Sequence, residues 1–146
     1  MEDKPLKRVR DYMTPDPVCT LPTDTIEEVA RFLKTQDVGS VPVVDGHATK
    51  KLVGIVTDRD IVVKLIAENR DLRSSRVSDV MSPDPATCSP DDNLEDALSL
   101  MSERQVRRIP IVDANHRVVG IFAQADVATR AASPKKAGEV LEEISR

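Results

Sequence analysis

The sequence predicts an α/β protein built from two copies of one unit with the order strand, helix, strand, strand, helix. Two observations predict it. The chain matches itself: DYMTPDPV at Asp11 recurs as DVMSPDPA at Asp79, and VGSVPVVD at Val38 recurs as VRRIPIVD at Val106, both 68 residues on. Beyond Asp45 the first copy carries two extra residues in a polar stretch, GHATKKLVG against ANHRVVG, after which VGIVTDRDI at Val53 matches VGIFAQADV at Val119. An insertion confined to a polar turn, with the register kept on either side, is the mark of two copies of one folded unit. The second observation is the spacing of apolar residues, which changes within each copy from short extended runs to repeats at three and four.

The elements follow in chain order. Val18 to Leu21 reads as a short strand, and Ile26, Val29, Ala30 and Leu33 repeat as one face of a helix. Thr25 with Glu28 is a capping-box start for that helix, and Asn93 with Asp96 holds the same places in the second copy. Val41 to Val44 reads as a strand, Asp45 to His47 as a turn, and Leu52 to Val56 as a second strand. A helix then runs from Asp58 to about Ala67, with Ile61, the stem of Lys64, Leu65 and Ile66 available for burial. The predicted division is an N-terminal helical segment at 1–10, a first motif at 11–69, an arginine- and serine-rich linker at 70–78, a second motif at 79–131 and a C-terminal amphipathic helix at 132–146. Leu6, Val9 and Met13 form a stripe at one end, and Ala137, Val140, Leu141 and Ile144 form one at the other, opened by Ser133 and Pro134. Both stripes suit docking on the module or on a second chain. A three-stranded unit covered by helices on one face leaves the other face bare, and two units solve this by packing those faces together.

Composition narrows the function. The chain has 146 residues, 40% of them apolar, which suits one compact body of two small units. No apolar run approaches the ~20 residues that span a bilayer. The N-terminus MEDKPLKRVR lacks a signal-peptide core, so a cytoplasmic protein is expected. A net charge of −4 gives no general attraction to phosphate backbones, and only Tyr12, Phe32 and Phe122 are available to stack on bases. A nucleic-acid partner is therefore disfavoured. The two cysteines, Cys19 and Cys88, form no metal-type cluster and are expected as reduced, inert thiols. His47 and His116 lie in turns, where solvated imidazoles are the ordinary case and a metal role is not expected.

The stretch GIVTDRDI carries the candidate chemistry. Thr57 with Asp60 is a capping box, and Asp60 also suits the positive end of a helix. The second copy keeps the acid as Asp126 but has Ala123 in place of the threonine. An acid that persists without its capping partner suggests a separate role, and a carboxylate at a helix start can accept hydrogen bonds from both hydroxyls of a ribose. Val41 and Pro42, with Ile109 and Pro110, offer aliphatic surface for a base. Arg107 and Arg108 suit phosphates, with a charged strand edge that resists sheet-to-sheet association as the alternative. Gly39 and Ser40 hold those places in the first copy and carry no charge, so the two sites are not equivalent.

The order of elements, the GSVPVVD and RRIPIVD strands and the GIVTDRDI and GIFAQADV turns together resemble a tandem pair of cystathionine beta-synthase (CBS) domains, the Bateman module, over roughly Asp11 to Ala131. The resemblance implies two β-α-β-β-α motifs packed through their sheets into a disc with two clefts, commonly a homodimer. It also implies an adenosyl ligand such as AMP, ADP, ATP, NAD or S-adenosylmethionine. The ribose-binding acid of the family falls on Asp60 and Asp126 and its hydroxyl on Thr57. Cys19, Thr87, Ile55 and Ile121 would lie beside the ligand, and Arg107 and Arg108 match its phosphate-contacting positions. Ala123 departs from the pattern. The expected function is a regulatory module that senses such a ligand, with no catalytic residues and no required cofactor, and signals occupancy to a protein partner. The alternative is a ligand-free dimerisation or interaction module. An enzyme is not expected, because no base, nucleophile or metal set assembles from these residues.

Overall fold

Each apolar cluster of the protein is completed by residues from both sequence copies. The computed structural model describes residues 7–130, so the C-terminal stripe at 137–144 and Leu6 lie outside the described residues. In chain order the elements are one 3₁₀ turn at Val9–Asp11, β1 Thr14–Pro15, α1 Ile26–Gln36, β2 Ser40–Val44, β3 Leu52–Thr57, α2 Asp58–Ile61 continuing as a π turn Val62–Ile66, α3 Val77–Val80, β4 Ser82–Pro83, α4 Leu94–Arg104, β5 Arg108–Val112, β6 Val118–Ala123 and α5 Gln124–Arg130. The chain divides into two compact units. Unit A comprises Val18–Pro85 and Asn115–Val118, and unit B takes the described parts of Met1–Pro17, Ala86–Ala114 and Val119–Arg146.

Unit A holds an antiparallel sheet in the order β2-β3-β4, and unit B one in the order β1-β6-β5. The edge strand of each sheet comes from the other copy. β4, from the DVMSPDPA of the second copy, pairs with β3 at Gly54↔Pro83 and Ile55↔Ser82. β1, from the DYMTPDPV of the first, pairs with β6 at Gly120↔Pro15 and Ile121↔Thr14. Val77 and Val80 accordingly fill the core of unit A with Ile26, Val29, Val41, Val43, Val56 and Leu65. Val9 and Tyr12 fill that of unit B with Leu98, Met101, Ile109, Ile111 and Phe122, so the N-terminal stripe docks on the module through Val9.

The helices begin and end as their residues dictate. Thr25 accepts the Glu28 N–H at 3.2 Å, and Asn93 accepts the Glu95 N–H at 2.8 Å, one position earlier than the expected Asp96. α1 and α4 both stop on a left-handed residue, Asp37 and Gln105, which repeat at the same offset as the sequence. In the turn that carries the insertion, Asp45 Oδ1 accepts from the Thr49 hydroxyl at 2.6 Å and from the Lys51 N–H at 3.1 Å, bonds that hold its carboxyl below the usual range.

Two expectations are corrected. The strand at Val18–Leu21 shrinks to a single parallel bridge, Thr20↔Val43, and its counterpart to Cys88↔Ile111. Proline explains both. Thr20 N–H donates to the Pro42 carbonyl and Val44 N–H to the Thr20 carbonyl, so the next bond toward the N-terminus would need the N–H that Pro42 lacks. Pro110 ends the ladder at Cys88 in the same way. Val18 is left 61% exposed. Ile66, expected in the core, is 59% exposed, because the widened π turn sets Ile61 and Leu65 inward and carries Ile66 outward.

Glycine makes the exchange of edge strands possible. A Cβ on Gly54 would lie 2.9 Å from the Ser82 carbonyl oxygen and 2.9 Å from Met81 Sδ, and one on Gly120 would press on Met13 and stand 3.1 Å from the Thr14 carbonyl oxygen. Gly54→Ala is expected to cost ~1–3 kcal/mol in a urea titration, since the backbone of β4 must shift. Gly120→Ala should cost less, because a methionine side chain gives way more easily than a peptide. Equal stability of Gly54→Ala and the parent would show that β4 does not close on β3 as described.

Candidate functional site

β3 in unit A runs directly into α2, and the junction carries a complete capping box. Thr57 Oγ accepts the Asp60 N–H at 3.0 Å and Asp60 Oδ2 accepts the Thr57 N–H at 3.0 Å. The other carboxylate oxygen, Oδ1, accepts the Ser82 hydroxyl at 3.2 Å and lies 3.3 Å from Lys64 Nζ. Lys64 also donates to the Val80 carbonyl at 2.9 Å and reaches Ser82 Oγ at 3.4 Å. Asp60 is thus a partly buried carboxylate with a donor on each oxygen, held by one residue from its own helix and one from the exchanged strand. The lysine was within reach of sequence reasoning, since Asp and Lys four apart on a helix pair by default. Ser82 was not, because it arrives from the other copy.

Register decides which neighbours share the face of Thr57. Ser40 stands opposite Thr57 and Pro42 opposite Ile55, so these four side chains lie on one face of the sheet. Val41 pairs with Val56 and both belong to the core of unit A. Val41 is therefore not brought beside Thr57, and its counterpart Ile109 is likewise buried in the core of unit B. Cys19 is half-buried next to the Thr20 bridge. Ser40 carries no sequence signal of a site, yet its hydroxyl is buried and has no hydrogen-bond partner.

Unit B repeats the junction with different residues. Ala123 N–H donates to Asp126 Oδ2 at 3.3 Å, so half of the capping box survives the loss of the threonine. Asp126 therefore keeps a structural task, and its persistence alone is not an argument for ligand binding. Gln124 N–H donates to the Arg107 carbonyl at 3.0 Å, as Asp58 N–H does to the Gly39 carbonyl at 3.0 Å. Arg107 is exposed, Arg108, Ile121 and Thr87 are half-buried, and Pro110 is buried. Among the described residues no group of histidine, cysteine and acids has the arrangement of a metal site, and no helix is long and apolar enough to cross a membrane.

Two homologous α/β units, each running a strand into an acid-capped helix and each completed by a segment of the other copy, define a tandem-repeat module with one such junction per unit. A family model for the CBS domain matches residues 9–67 and again 77–133, and the chain belongs to that family. It is 41% identical over 140 residues to a CBS domain-containing protein, YhcV, of Bacillus subtilis (strain 168), covering 96% of each chain. Among solved structures it is similar to the CBS domain pair of protein MJ0100 in complex with 5′-methylthioadenosine and S-adenosyl-L-methionine, with a TM-score of 0.76 and 30% identity over 86% of this chain and 95% of that one. It is also similar to CBSX2 in complex with AMP, with a TM-score of 0.70 and 29% identity over 95% and 98%.

Cys88 is buried beside this framework. Burial pushes its thiol up to about 11, with the carboxylates of Asp92 and Asp96 adding to the effect. At pH 8 roughly one molecule in a thousand then carries a Cys88 thiolate, the form that reacts. Alkylation of Cys88 by iodoacetamide, followed by peptide mass spectrometry, is expected to be far slower in the native protein than in urea. As pH rises between about 9 and 11, an unfolded chain releases this proton before the native one, so native stability declines across that window. Equal labelling rates in native and unfolded protein would show an open thiol.

Proposed function

We propose that this protein is a regulatory module that binds an adenosyl ligand, AMP, ADP, ATP, NAD or S-adenosylmethionine, through a ribose held by Asp60 and by Asp126, and signals occupancy to a protein partner. The observation that carries this reading is the setting of Asp60, a partly buried carboxylate oriented by the Thr57 N–H at the end of the strand whose Ile55 and Thr57 share a face with Ser40 and Pro42; the Ala123 N–H orients Asp126 in the same way. Such a carboxylate suits two vicinal hydroxyls, which in unit A share or replace the donors on Asp60, a pattern worth roughly 1.5–3 kcal/mol per charged hydrogen bond. Ile55 and Pro42 in unit A, and Ile121 and Pro110 in unit B, supply aliphatic surface for a base; Thr57 supplies a further hydroxyl. The ligands bound by the MJ0100 pair and by CBSX2 support the class of compound. Binding without catalysis, in the cytoplasm, is part of the same proposal.

The test is a thermal-shift series with the five ligands, followed by calorimetry. A ligand at 100 times its Kd adds about 2.7 kcal/mol, which raises the midpoint of a domain of this size by several degrees. The shift is expected to vanish in the double variant Asp60→Asn with Asp126→Asn. An unchanged shift in that variant would refute the assignment of the ribose to these acids.

A second reading, a ligand-free dimerisation or interaction module, is favoured by one observation. Val62, Val63 and Ile66 project from the helix after Asp60 with 52%, 44% and 59% of their surface exposed. Three neighbouring aliphatic side chains on one helix suit an interface between copies of this chain. Val62→Lys with Ile66→Lys should convert a homodimer to a monomer in sedimentation velocity while leaving circular dichroism unchanged. A parent chain that already sediments as a monomer would remove this reading.

A further inference from the structure

The two junctions share a backbone but differ in charge. At the five matching positions unit A has Gly39, Ser40, Asp58, Arg59 and Asp60, a formal charge of −1, whereas unit B has Arg107, Arg108, Gln124, Ala125 and Asp126, a charge of +1. The position of Lys64 is filled by Arg130 in the second copy, so a basic residue there is common to both and does not alter the difference. The positions correspond in structure as well as in sequence, because Asp58 and Gln124 donate their backbone N–H groups to the carbonyls of Gly39 and Arg107 at the same 3.0 Å.

The decisive contrast is at the first residue of β2 and of β5. Ser40 is 7% exposed, lies across the ladder from Thr57, and its Oγ has no hydrogen-bond partner. A buried hydroxyl without a partner is costly, and one hydrogen bond to a ligand group removes that cost. An anionic group placed there would meet a neutral hydroxyl with Asp58 and Asp60 nearby. Lys64 gives little help, since its ammonium is engaged by the Val80 carbonyl, Ser82 and Asp60. Arg59 is exposed at the helix surface. Arg108 replaces Ser40 in unit B, and no side-chain hydrogen bond or ion pair takes up its guanidinium among the described residues. Gln124 stands where unit A has the Asp58 carboxylate, and its Oε1 is also buried without a partner.

We propose that the two sites divide their ligands by charge: the junction at Ser40, Thr57 and Asp60 takes a ribonucleoside whose 5′ substituent is neutral or cationic, and the junction at Arg108, Gln124 and Asp126 takes one whose 5′ substituent is anionic. This rests on the ribose reading of the two acids. It adds that one chain reports on two chemically distinct compounds rather than twice on one.

Adenosine and AMP, titrated calorimetrically into single-acid variants of the full chain, test it. Asp126→Asn, which leaves the site of unit A, is expected to bind adenosine at least as tightly as AMP. Asp60→Asn, which leaves that of unit B, should bind AMP about tenfold or more tightly than adenosine, with the preference shrinking as salt rises. Should Asp60→Asn fail to fold, Arg108→Ser in the otherwise unchanged chain serves instead, with AMP affinity falling about tenfold and adenosine affinity unchanged. The same charge preference in both single-acid variants, or an Arg108→Ser chain that binds AMP as before, would overturn the division while leaving ribose binding intact. No binding of either compound by the parent chain would overturn the ribose reading and this inference together.

Discussion

The close approach of β4 to Gly54 and of β1 to Gly120 is the constraint on which the rest of the structure depends. A side chain at either glycine would occupy the space of the Met-Thr-Pro or Met-Ser-Pro segment laid against it. Without those segments each sheet would keep two strands and lose the apolar residues that ride in beside them, Val9 and Tyr12 in unit B and Val77 and Val80 in unit A. Each unit would then lose a strand and two fully or nearly fully buried side chains from its core, so the segment is part of what holds the fold together. The same contact brings Ser82 to Asp60, which ties the geometry of the candidate site to the pairing of an edge strand.

That tie has an electrostatic side. In unit A the carboxylate of Asp60 has a backbone N–H on one oxygen and a hydroxyl and an ammonium on the other. A diol can reach it only by sharing or replacing some of these donors. The most readily exchanged is Ser82, because the Thr57 N–H belongs to the backbone at the helix start and Lys64 is also held by the Val80 carbonyl. A ligand that took its place would loosen the tie between Asp60 and β4, so occupancy of the site and the seating of that edge strand draw on the same hydrogen bond.

Much of this was legible in the amino-acid sequence because it is local. The repeat, the polar turn that absorbs the insertion, the caps at Thr25, Asn93 and Thr57, and the inner strands all follow from spacing and side-chain chemistry over a few residues. What escaped was set by partners distant in the chain. The exchange of edge strands cannot be read from a copy considered alone, since TPDPV and SPDPA fit either sheet equally well. Val41 and Ile109 looked suited to a base, yet strand register turns them into the cores while Pro42 stands on the face of Thr57. Pro42 and Pro110 each lack the N–H a further ladder bond would need, and the effect falls on the preceding segment, which is reduced to one bridge. The half capping box at Asp126 shows that the acid keeps its bond to the backbone N–H once the hydroxyl is gone.

The crossing of segments also bears on descent. A single copy of the repeat, made as a separate molecule, would carry its Met-Thr-Pro strand at one end and the glycine that receives it at the other. The connection observed here sends that strand to the other copy rather than back to its own sheet. Two such molecules would complete each other by reciprocal donation, which is the arrangement of a domain-swapped dimer. A chain that joins the two copies through the stretch from Arg70 to Ser78 keeps that reciprocity within one molecule, and neither half can be lost without leaving its fellow with an unfinished sheet.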